Sequence, residues 1–485
     1  MQLERYEGKR WKIIYGNYSG VEKTAINNLQ RYLQKVSPYV LEVSNTLDLN
    51  DDKHIVLIGT KESNSLINDL VNQNIIEILD KNEFYTIKVM SSPYFNDAKL
   101  IVIAGSDANG VLYGVEEFYK SVMLKYIKNE TFRFYSKDLE TVEDIEISDS
   151  PVISRRGIWT WGYVIYNYKK YFDNMVRCKL NTVTIWNDEL PINIKEVISY
   201  AKDCGIDVYL GFAWGWDTFV IDPADKKKKE EIKNYVINLY KNEYVNLDIE
   251  GIYFQLGFTE CRNLDINGKS IAEYSKEWVD DISSSLFDIN PNLKIQFGLH
   301  GSSIKDKYPF LVGLDSRVDI VWEDCGGLPF SYKVEVASPF EEVKPDPDVS
   351  FNDTLNLCKD ISKTISNSES FSIVAKGFCH LNWITEFEHH KSFILGERDD
   401  NFIKERLSLR RFFINSNNAM WMENYPYAIK YYSEMSKSVK DILAIGLIED
   451  GCFEIEIPQG FAMFSEMLWN PDEKIISKAF SGHYS

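Results

Sequence analysis

From Ile153 to the end of the 485-residue chain, short apolar runs recur, each followed by a loop and, for most, a helical pattern. This repetition restricts the fold more than any other feature of the sequence. The runs cover residues 157–161, 182–186, 207–212, 251–258, 293–299, 318–322 and 371–376, with 442–448 as the eighth. Helical patterns fall at 169–179, 194–204, 229–242 and 271–287. A strand covered on both faces reads as a continuous apolar run, and strands alternating with helices build parallel βαβ units. Eight such units predict a closed (β/α)8 TIM barrel. Long connections after the sixth and seventh strands predict loops or small insertions over one face of the barrel. The stretch 416–439 is an alternative start for the last strand, and 461–470 and 474–480 read as closing helices.

The first 145 residues have a different rhythm. Short strands at 11–15, 39–43, 54–58, 84–89 and 100–104 enclose helical patterns at 21–35 and 63–72, which predicts a small N-terminal α/β domain. The acidic, extended segment 131–151 marks the boundary, giving domains 1–148 and 149–485. Gly105, Gly110 and Gly114 punctuate the strand-to-helix turn that closes the first domain. Their spacing fits neither the dinucleotide fingerprint nor the P-loop, so a tight turn with close helix–sheet packing is expected in place of a phosphate cradle.

Apolar residues make up 44% of the chain and charged ones 26%, enough for a large core. A net charge of −19 argues against nucleic acid as a partner, because a phosphate backbone requires a basic face. The seven cysteines are widely spaced, odd in number and lack any CxxC pair, a pattern of reduced thiols and not of a disulfide framework or a zinc site. The amino terminus lacks a signal-like apolar core, and no apolar run reaches about 18 residues. These features predict a soluble cytoplasmic protein with no membrane partner.

In a (β/α)8 barrel the chemistry sits at the carboxyl ends of the strands. Here those ends carry Trp159 and Trp161, then Trp186, Asn187, Asp188 and Glu189, then Trp214, Trp216 and Asp217. The fourth strand ends in Thr259, Glu260 and Arg262, and the fifth in His300. Trp322, Glu323 and Asp324 follow the sixth, Lys376, His380, Asn382 and Trp383 the seventh, and Glu449 and Asp450 the eighth. Acids on several strands, interleaved with tryptophans, point to glycoside hydrolysis. That reaction needs one protonated carboxyl to assist the leaving oxygen and one ionised carboxyl to attack or to activate water. Glu260 is the candidate general acid, since an apolar strand ahead of it would raise its pKa. Strict alternation groups it with Ile252, Phe254 and Leu256, so the strand must end or bulge near Gly257 to turn it inward. Glu323 or Asp324 is the candidate base or nucleophile.

Trp159, Trp161, Trp186, Trp214, Trp216 and Trp322 are candidate walls against which the C–H face of a sugar packs, with Asn187, Asp188 and Glu449 as polar neighbours. Arg262, His300, Lys376 and His380 can meet a substrate carboxylate. Each tryptophan has core filling as its bland alternative, and each charged residue a structural ion pair. No metal-ligand spacing and no Gly-x-Ser-x-Gly elbow occurs, so neither a metal nor another cofactor is expected.

A small α/β domain closing on GSDANGVLYGVEEF and followed by such a barrel resembles α-glucuronidases and β-N-acetylhexosaminidases. In those families the first domain is accessory and the barrel catalytic. Hexosaminidases that use the substrate's acetamido group carry an Asp–Glu pair after the fourth strand. Glu260 matches the proton donor, whereas Thr259 stands where the Asp would be. The resemblance therefore implies a glycosidase acting on a carbohydrate, either a uronic-acid or an N-acetylhexosamine glycoside. Two rivals remain open: a non-catalytic carbohydrate-binding protein on a glycosidase-like barrel, and a lyase or isomerase of uronic acids.

Overall fold

The computed structural model describes residues 8–125, 127, 142–187, 189–212, 214, 222–256, 265–299, 308–322, 347–365, 370–375, 377–378, 391–451, 453–472, 474–480 and 483–484. Two compact units emerge: Met1–Pro151 with Lys202–Gly205 and Phe480–Ser485, and Val152–Ala201 with Ile206–Ala479.

The first unit is built on strands β1 (Trp11–Tyr15), β2 (Glu42–Ser44), β3 (His54–Thr60), β4 (Tyr85–Ser91), β5 (Lys99–Gly105) and β6 (Ile145–Asp149). They form one sheet in the order β2-β1-β3-β5-β4-β6. The first four in that order are parallel, and β4 runs antiparallel to both β5 and β6. β3 is buried at every position and β5 at all but its first, as expected of strands covered on both faces. Strand β6 lies within the stretch expected to be an extended linker. Its alternate residues Glu146 and Ser148 are exposed and polar, which masks it in the sequence, and Glu146 pairs with its cross-strand neighbour Lys88 at 2.9 Å.

The Gly-rich turn is explained without a ligand. Asp107 caps the helix Ala108–Ser121, its Oδ1 accepting from the Gly110 amide at 2.7 Å and its Oδ2 from the Glu83 amide at 2.7 Å. A Cβ on Gly110 would stand 2.3 Å from the Phe84 carbonyl oxygen, so the helix start and the sheet touch there through backbone alone.

The second unit holds β7 (Arg155–Trp161), β8 (Thr182–Trp186), β9 (Asp207–Gly211) and β10 (Gly251–Phe254), then a short hairpin of β11 (Asp265–Ile266) and β12 (Lys269–Ser270). β13 (Lys294–Leu299), β14 (Val318–Trp322), β15 (Ser370–Ala375) and β16 (Asp441–Leu447) follow. Eight of them close into a parallel barrel in chain order, β7-β8-β9-β10-β13-β14-β15-β16, with β16 paired back to β7. Helices Tyr168–Arg177, Ile194–Asp203, Lys226–Leu239, Ile271–Phe287, Pro347–Ile365 and Asp400–Ser438 connect successive strands. The fold is thus a (β/α)8 barrel, as the strand repeat predicts. The alternative start of the last strand is overturned. Residues 416–438 belong to the 39-residue helix Asp400–Ser438, whose buried residues Ile403, Leu407, Arg410, Ile414, Asn417 and Trp421 recur every three or four positions.

Inward-facing side chains fill the barrel in layers. At its amino-terminal end Arg155 bridges Asp319 at 2.8 Å and Asp441 at 3.0 Å. In the middle Thr184 donates to Gln296 at 3.0 Å. At the carboxyl end the filling becomes aromatic. Among the described residues no helix is long and apolar enough to cross a membrane.

Candidate active site

The carboxyl-terminal layer is a single cluster in which Trp159, Trp186 and Tyr253 pack with Val321, Val374, Leu443, Ile445 and Leu447, and Trp161 lies over them. Alternation along β7 turns both Trp159 and Trp161 inward, and the two rings meet edge to face at 4.5 Å. Trp186 lies 6.3 Å from Trp159, and Tyr253 sits edge-on to both, at 5.5 Å and 5.9 Å. The Tyr253 hydroxyl accepts from the Gln255 amide at 2.8 Å. The Trp159 indole N–H is buried with no partner among the described residues. Two glycines make room for these rings. A Cβ on Gly298 would lie 1.9 Å from the Tyr253 hydroxyl, and one on Gly211 would lie 2.8 Å from the Trp186 ring.

The tryptophans therefore divide by parity. Trp161 and Trp186 face the barrel axis with Trp159. Trp214 instead stacks on Phe254 at 3.6 Å, which in turn stacks on Phe297, on the side of the strands that packs against the helices. Trp322 is fully buried and follows the inward Val321, so it belongs to the same outer shell. Asn187, at the end of β8, is fully buried with neither end of its amide hydrogen-bonded among the described residues. Its Oδ1 lies where a Cβ on Gly162 would come within 2.0 Å. Glu449 follows β16 and is half-buried.

Strand β10 ends at Phe254, three residues before Gly257, with Tyr253 inward and Phe254 outward. Glu260, Glu323, Asp324, Asp188, Trp216, Arg262, His300, Lys376 and His380 lie outside the described residues.

Beside β16 stand Asp450, expected at the end of the eighth strand, and Glu454, which the sequence did not single out. Asp450 is fully buried, and its Oδ2 accepts from the Arg406 guanidinium at 2.7 Å and from Arg410 at 2.8 Å. The Tyr166 hydroxyl donates to its Oδ1 at 3.2 Å. Four residues on, Glu454 accepts from the backbone amides of Tyr166 and Asn167 through one oxygen, while the other has no partner among the described residues. Burial pushes its carboxyl up to about 7, against the opposing pull of those backbone amides, and the nearby Asp450 charge adds to the rise. Arg406 and Arg410 are one helical turn apart, a spacing readable once 400–438 is recognised as helix. Among the described residues no group of three or more His, Cys, Asp or Glu is placed to hold a metal ion.

The class defined at this point is a (β/α)8 barrel whose carboxyl-terminal mouth is floored by aromatic rings. No family model matches the chain, and no curated protein matches it in sequence. Solved structures do match. The structure of CpGH84B superposes over 96% of this chain and 70% of its own, with a TM-score of 0.53 and 12% identity, which shows a shared fold. A mutant β-hexosaminidase from Streptomyces plicatus, in complex with its product GlcNAc, has a TM-score of 0.49 at 8% identity, covering 94% of this chain and 86% of that one. A family 89 glycoside hydrolase from Clostridium perfringens, in complex with 2-acetamido-1,2-dideoxynojirmycin, has a TM-score of 0.43 at 10% identity, covering 95% and 50%.

Proposed function

We propose that this chain is a glycoside hydrolase acting at the carboxyl-terminal mouth of its barrel, with residues 1–148 as an accessory domain. The observation that carries the reading is the inward cluster of Trp159, Trp161, Trp186 and Tyr253. Flat indole faces at the closed bottom of a barrel mouth suit the C–H face of a pyranose and offer little to a charged or extended polymer. Glu260 is the general acid and Glu323 or Asp324 the base or nucleophile. Arg262, His300, Lys376 and His380 supply the positive side that a uronic-acid substrate would need, and an N-acetylhexosamine glycoside is the other substrate class. Trp216, Asp188, Asn187 and Glu449 complete the substrate-binding set. Trp214 and Trp322 support the strands from behind.

Screening aryl glycosides, with glucuronides and N-acetylhexosaminides in the panel, identifies the substrate. Glu260→Gln should then lower kcat by at least about 100-fold with the fold intact, the loss expected for a general acid. Turnover near that of the unsubstituted chain would reject Glu260. Thr259, standing where hexosaminidases carry an Asp, favours a second reading in which the barrel binds sugars without cleaving them. Calorimetric binding of a sugar that no glycoside of the panel releases would select it.

A further inference from the structure

Above the aromatic floor, β10 turns one more residue toward the barrel axis. The parallel ladder ends with Phe254 against Phe297. Its register, carried one step further, sets Gln255 level with Gly298 of β13, and alternation puts Gln255 on the inward side with Tyr253. The side chains agree with that placement. A Cβ on Gly298 would stand 1.9 Å from the Tyr253 hydroxyl and 3.0 Å from Gln255 Cγ, so both side chains lie over the same bare stretch of backbone inside the barrel. Gln255 keeps 7% of its surface exposed, whereas Tyr253 keeps none. The amide thus stands between the rings and the opening of the mouth.

Its chemistry sets it apart from the cluster below. There Trp159, Trp186 and Tyr253 pack among aliphatic side chains, and a primary amide is costly to bury beside them unless its polar atoms find partners. One partner lies within the protein, since Gln255 Nε2 donates to the Tyr253 hydroxyl oxygen at 2.8 Å. That bond fixes how the amide is turned. With Nε2 on the phenol oxygen, the carbonyl Oε1 points away from it. A glutamine amide has two N–H donors and a carbonyl oxygen that accepts twice, so the bond to tyrosine takes one of its four.

A pyranose packed by its C–H face on the indoles turns its hydroxyls sideways, within reach of polar groups at the edge of the floor. A hydroxyl both donates and accepts, and an amide held in one orientation can meet it in either sense. Building on the reading of this mouth as a sugar site, we propose that Gln255 is a specificity residue whose amide hydrogen-bonds one ring hydroxyl of the bound sugar. Tyr253 is then the positioning residue that holds the amide in place.

Aryl glycosides of the sugar that the chain accepts, compared with their monodeoxy analogues, test this. Gln255→Met keeps the length of the side chain and removes the amide, and should lower kcat/KM by about 10-fold, the loss of one neutral hydrogen bond. In the unsubstituted chain one monodeoxy analogue should be poorer than its parent by a similar factor. In Gln255→Met that one ratio should fall to near unity while the others stay. Tyr253→Phe leaves the amide present but unheld, and should cost about 3-fold alone and nothing further in the Gln255→Met background. Near-ultraviolet dichroism checks that the rings keep their packing, and if Gln255→Met does not fold, the same ratio should narrow in Tyr253→Phe. Unchanged kcat/KM in Gln255→Met overturns the proposal. So does a loss spread equally over the parent and every monodeoxy analogue, as a purely structural role would give, or full additivity of the two substitutions. If no glycoside is cleaved, dissociation constants of the parent and monodeoxy sugars, read from the fluorescence of the floor tryptophans, replace kcat/KM in every comparison. A chain that neither cleaves nor binds any sugar rejects the glycosidase reading and Gln255 together, whereas one that does either and ignores Gln255→Met rejects Gln255 alone.

Discussion

Two buried acids four residues apart, Asp450 and Glu454, have neighbours of opposite kinds. Asp450 is surrounded by donors, two guanidinium groups and the Tyr166 hydroxyl. Glu454 has only backbone amides, which do not offset the loss of water, so its carboxyl is raised to about 7. The consequence for stability follows from linkage. The folded state holds this proton more tightly than the unfolded chain, so the contribution is fully present below the ordinary glutamate range. It is lost as pH rises from about 4.5 towards 7. A shift of that size corresponds to about 3 kcal/mol. Glu454→Gln keeps an oxygen for the Tyr166 and Asn167 amides but cannot ionise. Urea denaturation should find it more stable than the unsubstituted chain at pH 8, with the advantage shrinking at pH 5. An equal difference at both pH values would mean that Glu454 does not titrate in the fold.

At the scale of elements, the barrel strands were legible almost residue for residue, because a strand covered on both faces is a block of apolar residues between breakers. β8 and β14 have the expected bounds, and the other barrel strands apart from β10 differ by a residue or two at either end. β10 departs furthest, since the apolar run continues to residue 258 while the parallel ladder stops at Phe254. Apolarity reports burial, whereas ladder pairing depends on neighbouring strands that a single run does not reveal. The same limit applies at the mouth. The sequence places Trp161, Trp186, Trp214 and Trp322 equally at strand ends. Only the register separates the first pair, facing the axis, from the second, facing the helices. The surroundings of Asp450 and Glu454 were harder to read, because Arg406 and Arg410 reach Asp450 from a helix some forty residues earlier and the Tyr166 and Asn167 amides reach Glu454 from the far side of the chain. The glycines beneath the rings give a test at this scale. Gly298→Ala forces the Tyr253 ring from its place and should cost about 1–3 kcal/mol in chemical denaturation, with a changed near-ultraviolet dichroism from the tryptophans around it. In a Tyr253→Leu background the same substitution should cost clearly less.

At the scale of the whole molecule, the chain both begins and ends in its first unit, so the linear division into domains 1–148 and 149–485 omits part of that unit. Phe480–Ser485 belongs to it. His483 is buried with its Nε2 4.0 Å from Glu116, whose carboxyl accepts from the Tyr32 hydroxyl and the Asn28 amide. Lys120 lies over the ring of Tyr484 at 5.6 Å. These contacts bring helices Gly20–Gln34 and Ala108–Ser121 together with a segment that arrives only after the entire barrel has been built. A carboxylate buried at the centre of such a group depends on every donor around it, so removing part of the shell is costly. Deleting residues 480–485 should therefore speed hydrogen exchange in both helices by roughly 30-fold, the equivalent of about 2 kcal/mol in local opening. Amides of β13 to β16, in the second unit, should keep their protection. Equal acceleration in those strands would show the deletion acting on the whole molecule. Unchanged exchange in the two helices would show that the terminal residues contribute nothing to the unit they join.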